Sequence, residues 1–134
     1  MAVRPPLRLL RLGNPVARVI LGSRAHRLLS GSLIVLEYEG RKSGRTFAIP
    51  LRYAEVADSR LVALAVEPGR KQWWRSFVDP RPAVVLHRGQ RHGVLGTLAG
   101  GTARDEARDA YAARYPNSAQ LIDDAALVVF VRSG

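Results

Sequence analysis

The chain has 134 residues, enough for one domain with a single core, and its composition is that of an ordinary globular protein. It has no cysteine, which excludes disulfides and cysteine-based metal sites, and its three histidines lack metal-binding spacing. The net charge is +10, and only Lys42 and Lys71 are lysines among the 21 basic residues. Such a charge predicts an anionic partner: nucleic acid, anionic lipid or a polyanionic small molecule.

The first segment, residues 1–31, is predicted to form amphipathic helices, because leucines and valines are interleaved with arginines. Pro15 separates a short helix from a longer one that runs to about Leu29. Arginines interrupt every apolar run, so neither a membrane span nor a cleaved signal peptide is expected. The helix either packs on the domain that follows or lies on an anionic membrane surface. We therefore expect a cytoplasmic protein, with peripheral membrane association under the second interpretation.

The next stretch, residues 32–53, predicts a β-hairpin. Two runs rich in β-branched and aromatic residues flank the polar turn Gly40-Arg41-Lys42-Ser43-Gly44-Arg45. The turn combines three cations with several backbone N–H groups, which predicts an anion-binding site. A solvated basic turn without a ligand is the alternative. In the first strand, Glu37 and Glu39 share a face and are expected to face solvent.

A third strand, Leu61 to Val66, ends at Pro68-Gly69, and a short helix is predicted from Lys71 to Phe77. This helix contains Trp73 and Trp74 beside basic residues, which offers a flat apolar face next to a cation for a flavin-like ring and its phosphate. The alternative is that a tryptophan plugs the end of the domain, and we expect this of at least one of the two.

The remaining sequence predicts strands at 83–88, 91–98 and 126–131, with a turn at Gly89-Gln90. A helix capped by Thr102 runs to about Ala113, with Asp105 and Glu106 in its first turn. Six strands with few edge signals favour a closed or partly closed barrel. No phosphate-binding loop, dinucleotide fingerprint or nucleophile elbow is present, and no acid–base pair stands out, which disfavours a hydrolase.

The hairpin sequence resembles the deazaflavin-dependent nitroreductase and quinone reductase family, because G-R-K-S-G is followed by Ile49-Pro50-Leu51. The resemblance covers most of the chain from Ser32 onward. It implies an α+β fold that is mainly β: a six-stranded split β-barrel of the FMN-binding, pyridoxamine-phosphate-oxidase-like type. Residues 32–134 would form this barrel, and residues 1–31 would add the N-terminal helix.

The resemblance also implies coenzyme F420 as the cofactor, with FMN less favoured. The implied cofactor-binding residues are Arg41, Lys42, Ser43, Arg45, Ile49, Pro50, Leu51, Arg70, Lys71, Trp73, Trp74, Arg75 and Ser76. Tyr115, before Pro116, matches a tyrosine that the family places near the substrate, and it is the candidate catalytic residue. Its alternative role is that of an aromatic packed at the end of a helix.

The chain departs from the family pattern at three places. Phe47 stands where a basic residue is common, and the loop 67–71 is short and contains an acid. Ser118 and Leu121 replace aromatic residues found in nitro-reducing members. This last difference favours a quinone or an activated alkene over a nitroimidazole as the acceptor, whereas the first two concern the binding of F420.

The sequence therefore predicts hydride transfer from reduced F420 to a small apolar acceptor, such as a quinone, enone or nitro compound, with the hydride supplied by the cofactor. The alternative is a non-catalytic barrel that binds a lipid, haem or another anionic ligand. Nucleic-acid binding ranks last, because no aromatic stacking platform is predicted on a sheet face. The sequence does not predict an oligomeric state.

Overall fold

A computed structural model describes residues 32–57, 60–66, 68–69 and 73–133. The predicted N-terminal helix, with its packed and membrane-bound alternatives, lies outside the described residues, as do Arg70 and Lys71. No helix in the described ranges is long and apolar enough to cross a membrane.

Six strands form a closed antiparallel barrel in the order β1-β2-β3-β6-β5-β4, which confirms the predicted fold. The strands are β1 Leu33–Glu39, β2 Thr46–Ala57, β3 Arg60–Ala65, β4 Arg81–His87, β5 Gln90–Leu98 and β6 Ala126–Arg132. The helices within the described ranges are a 3₁₀ helix Trp73–Phe77, α1 Gly101–Arg114, a 3₁₀ turn Pro116–Ser118 and α2 Ala119–Asp123. The described residues belong to two compact units.

The first unit contains residues 32–52, 82–95 and 132–133. Strand β1 pairs with β2 in a register that sets Tyr38 opposite Phe47 and Val35 opposite Pro50, and on its other side β1 pairs with β4. The interior residues of β1, from Ile34 to Tyr38, are buried on both faces of the strand. This burial explains why the strand is almost continuously apolar.

The turn between β4 and β5 consists of Arg88 and Gly89, and not of Gly89-Gln90 as predicted. Both residues have positive φ, 51° and 78°, as in the two-residue turns that suit the twist of a hairpin. The prediction was off by one residue because arginine gives no sequence signal for the left-handed conformation, whereas asparagine or glycine would have done so.

The second unit contains the described residues 53–57, 60–66, 68–69, 73–81 and 96–131. Its main core joins strand residues Ala54, Val62 and Leu127 to the helical residues Tyr111 and Ile122. Aromatic rings form a further contact chain: Trp73 meets Phe77 edge-on at 6.2 Å, and Phe77 meets Phe130 at 5.6 Å. Gly96 lies against these last two rings, because a Cβ at this position would be 2.6 Å from Phe77 and 3.0 Å from Phe130.

Helix α1 begins two residues earlier than predicted, with Gly100 and not Thr102 as its N-cap. Thr102 lies inside the helix, no side chain caps the N-terminus, and Asp105 and Glu106 fall beyond the first turn. The physical reason for the earlier start is that the chain turns sharply as it enters the helix. Gly101 adopts a φ of 57° at this turn, which glycine accepts without strain. The short elements after α1, Pro116–Ser118 and Ala119–Asp123, were not predicted because they are too short for a periodic pattern.

Candidate functional site

The basic hairpin turn in the first unit is closed by its own backbone. The Gly40 N–H donates to the Arg45 carbonyl at 2.8 Å, and the Gly44 N–H donates to the Gly40 carbonyl at 2.9 Å. Gly44 has a φ of 69°, so its lack of a side chain is what permits the turn. The side chains of Arg41, Lys42 and Arg45 project into solvent from a fixed backbone.

The backbone of this turn contributes fewer anion-binding groups than the sequence suggested. Three of its N–H groups already have partners, because the Arg45 N–H donates to the Ser43 hydroxyl at 3.2 Å and those of Gly40 and Gly44 bond within the turn. An anion at this turn would therefore be bound mainly by guanidinium and ammonium groups. Such contacts are charge-assisted, and they weaken in salt when they are exposed.

The other predicted cofactor residues of the first unit lie on β2 just after the turn. Ile49 and Leu51 are half-buried and lie on the same face as Phe47, whereas Pro50 is exposed and lies on the other face. This face presents a row of partly exposed apolar side chains that begins beside the cations. The arrangement suits a ligand that has both an apolar and an anionic part.

The two tryptophans of the second unit differ in position. Trp73 is only 7% exposed and packs on Phe77, so it fills the core as the alternative interpretation expected. Trp74 is half-buried, and its indole N–H donates to the Pro68 carbonyl at 2.9 Å. The Arg75 guanidinium lies over the Trp74 ring, 5.6 Å from its centre, within the range of a cation–π contact. Ser76, also predicted to bind the cofactor, is buried.

Trp74 and Arg75 line an open cleft of about 380 Å³, within the range of small-molecule sites. The apolar part of its lining is contributed by the end of β5 and the start of β6, and Arg104 adds a second guanidinium. The lining residues are Pro68, Gly69, Trp74, Arg75, Leu98, Ala99, Arg104, Ala125 and Ala126. The cleft therefore combines an aromatic face, a largely apolar lining and two fixed cations.

Arg104 is a cleft residue that the sequence analysis missed. Its Nη1 donates to the Ala125 carbonyl at 3.0 Å, and its Nη2 donates to the carbonyls of Ile122 and Asp123 at 3.2 Å each. These bonds fix the wall of the cleft without neutralising the guanidinium charge, since the partners are carbonyl groups. A positive charge near the start of a helix is unfavourable for the helix dipole. This unfavourable position was the signal in the sequence from which a tertiary contact of Arg104 could have been predicted.

Tyr115 lies where α1 ends, and its ring packs against Tyr111 at 4.8 Å. Its hydroxyl donates to the backbone carbonyl of Tyr53 at 2.5 Å, and its own carbonyl accepts a bond from the Ser118 hydroxyl at 2.6 Å. These contacts match the packed aromatic that was the alternative role. Proton donation by Tyr115 would require its hydroxyl to leave the Tyr53 carbonyl, and the catalytic role stays a prediction.

Glu37 was expected to face solvent, and this prediction is wrong. Its side chain is fully buried, and Oε2 accepts a hydrogen bond from Nη2 of Arg91 at 2.5 Å. Burial raises the pKa of Glu37, and the Arg91 charge partly offsets that rise. The sequence could not show this burial, because alternation along one strand does not reveal what covers its outer face. Arg91 comes 54 residues later.

The predicted site residues thus fall into two separate groups. The hairpin and the row on β2 belong to the first unit, and Trp73 to Ser76 belong to the second unit. Of the second group, the structure brings Trp74 and Arg75 to the cleft, together with the unpredicted Arg104, and buries Trp73 and Ser76. No cluster of three potential metal-binding side chains occurs within the described ranges.

Comparison with known proteins gives structural matches and no sequence matches: no family model matches the chain. No curated protein matches it either. An F420-H2 dependent reductase, FDR-A, superimposes with a TM-score of 0.62 at 16% identity, covering 75% of this chain and 95% of the reductase. A protein of unknown function from Agrobacterium tumefaciens has a TM-score of 0.62 at 20% identity, covering all of this chain and 59% of that protein.

A FAD-binding protein from Mesorhizobium loti has a TM-score of 0.51 at 18% identity, covering 81% of this chain and 87% of that protein. At such identities the comparisons establish architecture, and they confirm the resemblance at the level of the fold. The chain is a split β-barrel of the type seen in an F420-H2 dependent reductase and in a FAD-binding protein.

Proposed function

We propose that this protein is an F420-dependent oxidoreductase that transfers hydride from the reduced cofactor to a small apolar acceptor, such as a quinone or an enone. The observation that carries the proposal is the cleft beside Trp74 and Arg75. It occurs in a barrel whose fold is shared with an F420-H2 dependent reductase.

The residues of the cleft fit the cofactor in size and in chemistry. A volume of about 380 Å³ suits a planar ring system, and the half-buried indole of Trp74 offers it a packing face. Arg75 and Arg104 supply two positive charges, which suit a ring system whose side chain is anionic. When bound, the deazaflavin supplies the hydride, and the protein supplies binding and orientation.

The chain's own contribution to the reaction would be to position the reactants. Trp74 is held by its bond to the Pro68 carbonyl, so its ring orientation is fixed before a ligand binds. The apolar lining from Leu98, Ala99 and Ala126 would exclude water from one side of the ring. The reduced acceptor would take up a proton from water at the open side of the cleft, or from Tyr115.

The hairpin is a separate part of the proposal. Lys42, Ser43 and Arg45, with Arg41 at the rim, would bind a phosphate or a glutamate carboxylate of the cofactor. Support comes from the exposure of all four residues on a turn held by its own hydrogen bonds. Because the hairpin and the cleft belong to different units, each is tested by its own variant.

The test of the cleft is a tryptophan-fluorescence titration with F420, FMN and NADP. We expect F420 to quench the wild-type protein. In Trp74→Phe, which leaves Trp73 as the only tryptophan, quenching should be much reduced while binding is retained. Trp74→Ala should weaken binding because an aromatic packing face is lost. Equal quenching in wild type and Trp74→Phe would show that the cofactor does not lie against Trp74.

The test of catalysis is stopped-flow absorbance of reduced F420 mixed with enzyme and a panel of acceptors. We expect faster oxidation by quinones and activated alkenes, and slow oxidation by nitroimidazoles. Arg75→Ala should slow this oxidation, because it removes a cation from the cleft. Arg108→Ala is its matched control, since Arg108 is an arginine outside the cleft in an exposed ion pair with Asp123. If F420 binds but no acceptor is reduced faster than without enzyme, the protein is a binding module instead.

A further inference from the structure

The aromatic ring of Phe47 is exposed to solvent where strand β2 leaves the basic hairpin turn, Gly40 to Arg45. It is 40% exposed, and it is the only aromatic ring among the four exposed large apolar side chains of the described residues. One face stacks on Tyr38, with ring centres 5.5 Å apart and planes 28° from parallel. Since Tyr38 covers one face, the exposed area of Phe47 is on its opposite face and edge. The hairpin therefore presents a flat aromatic surface to solvent.

The Phe47 ring and the hairpin turn meet at Gly40. A Cβ placed on Gly40 would be 2.9 Å from Phe47 Cε2 and 3.2 Å from the Ser43 hydroxyl oxygen. The aromatic edge and the hydroxyl therefore lie close together over a backbone position that carries no side chain. The internal hydrogen bonds of Gly40 and Gly44 hold the turn in this shape. The aromatic surface and the turn are thus one preformed patch.

The same patch carries positive charge that is available to a ligand. Arg41, Lys42 and Arg45 are exposed, and none of them forms an ion pair with another residue of the described ranges. Three cations within five residues attract a group with more than one negative charge. A phosphate or diphosphate is such a group, and arginine binds it through paired hydrogen bonds.

We propose that the exposed ring of Phe47, beside Lys42, Ser43 and Arg45, forms a binding site for a nucleotide, with the base stacked on Phe47 and the phosphates on the cations. A single planar ring next to cations suits a ligand whose own planar ring is linked to its phosphates through one sugar. An anionic membrane would instead be met by several exposed apolar side chains, and Pro50 is the only other exposed apolar residue from Arg41 to Arg52. The proposal builds on the anion site of the proposed function.

The experiment measures ADP binding by calorimetry, with adenosine and inorganic pyrophosphate as the two halves of the ligand. ADP contains no deazaflavin, so this proposal and the proposed function can fail separately. We expect ADP to bind at least tenfold more tightly than either half. Phe47→Ala should weaken ADP binding about tenfold, as expected for the loss of one stacked base, and should leave pyrophosphate binding unchanged. Phe47→Tyr should retain ADP binding.

Three further variants separate local binding from folding and from overall charge. Gly40→Ala should weaken ADP binding, because the added methyl group displaces the Phe47 ring while every charge remains. Arg88→Ala removes one exposed cation in the same unit, at the turn that follows β4, and should have little effect. The register of β1 with β4 places the Arg88 turn level with Leu33. Leu33 is the first residue of β1, whereas the hairpin follows the last residue of that strand. Lys42→Ala should weaken ADP and pyrophosphate equally.

Three results would overturn the proposal. If pyrophosphate equals ADP in affinity and Phe47→Ala has no effect, the hairpin is an anion site alone. If Arg88→Ala weakens ADP binding as much as Lys42→Ala does, binding follows net charge. The third result is that the protein fails to bind ADP but binds vesicles of equal parts phosphatidylserine and phosphatidylcholine in a way that Phe47→Ala abolishes. The hairpin would then be a membrane contact.

Discussion

Glu37 and Arg91 form an ion pair in which the carboxylate is completely buried while the arginine is 28% exposed. Only one hydrogen bond of 2.5 Å joins them, between Nη2 and Oε2. The other carboxylate oxygen, Oε1, and the Arg91 Nε are buried without a hydrogen-bond partner. Such a pair contributes little net stability when intact, but the loss of one partner leaves an uncompensated charge.

We therefore expect Arg91→Met to lower the free energy of unfolding by about 2–3 kcal/mol. This loss is smaller than the ~3–5 kcal/mol that follows removal of one partner from a fully buried pair, because Arg91 is partly exposed. Burial raises the pKa of Glu37 in the folded state. Its contribution to stability is therefore greatest below the ordinary carboxyl pKa and is lost as the pH rises through the raised value. Arg91→Met removes the opposing charge and should steepen that loss.

The measurement is urea unfolding as a function of pH. Glu37→Gln provides the control, because it removes the titrating group and keeps the shape. The double variant Glu37→Gln, Arg91→Met should be more stable at neutral pH than Arg91→Met alone. An Arg91→Met protein as stable as wild type at neutral pH would contradict the assignment.

Gly96 tests the packing of the aromatic core in the second unit. In Gly96→Ala, the new methyl group would lie 2.6 Å from Phe77 and 3.0 Å from Phe130, two rings with no exposed area. We expect a loss of about 1–3 kcal/mol, measured by thermal or urea unfolding, because overpacked rings must move. Gly69→Ala is the matched control, since nothing lies within 4 Å of its Cβ position. Equal stability of the two variants would show that the Phe77 ring can shift freely.

Arg104 and Arg108, on the same helix, contact the same segment in different ways. The Arg104 guanidinium donates hydrogen bonds to three backbone carbonyls, those of Ile122, Asp123 and Ala125. Arg108 instead forms an exposed ion pair with the Asp123 carboxylate at 2.8 Å. We expect Arg104→Met to cost about 1.5–3 kcal/mol and to weaken ligand binding in the cleft. Arg108→Met should cost less than about 1 kcal/mol, as exposed pairs do. The prediction fails if unfolding experiments give the two variants the same stability.

Lys42 tests the proposed anion site of the cofactor. We expect Lys42→Ala to weaken F420 binding about tenfold or more at low salt, because a charge-assisted contact is worth roughly 1.5–3 kcal/mol. The difference from wild type should shrink at high ionic strength, since Lys42 is exposed. The measurement is a fluorescence titration at several salt concentrations. Unchanged affinity at low salt would remove the hairpin from the cofactor site.

Tyr115 tests the predicted proton donor. Because its hydroxyl donates to the Tyr53 carbonyl at 2.5 Å, Tyr115→Phe should lower the free energy of unfolding by about 1 kcal/mol. We expect turnover to change by no more than a few-fold, with cofactor binding retained. A hundredfold fall in kcat at unchanged stability and cofactor affinity would instead establish Tyr115 as the general acid.

The local patterns of the sequence were sufficient for the strands and the central hairpin. The apolar runs around Gly40 to Arg45 predicted β1 and β2, because β-branched residues and turn glycines are signals contained within a few residues. The same holds for the short helix that contains Trp73 and Trp74. The number of strands then favoured a barrel, since closure removes exposed edges.

The roles of individual side chains were decided by the tertiary structure. Trp73 and Trp74 are adjacent and chemically identical, yet one fills the core and the other lines the cleft, because neighbouring positions point in different directions. The burial of Glu37 and the position of Arg104 depend on partners that lie 54 and about 20 residues away along the chain. Composition and spacing thus determined which chemistry the chain carries. Long-range packing decided which of those groups reach a ligand, because burial and partner choice are properties of contacts and not of local sequence.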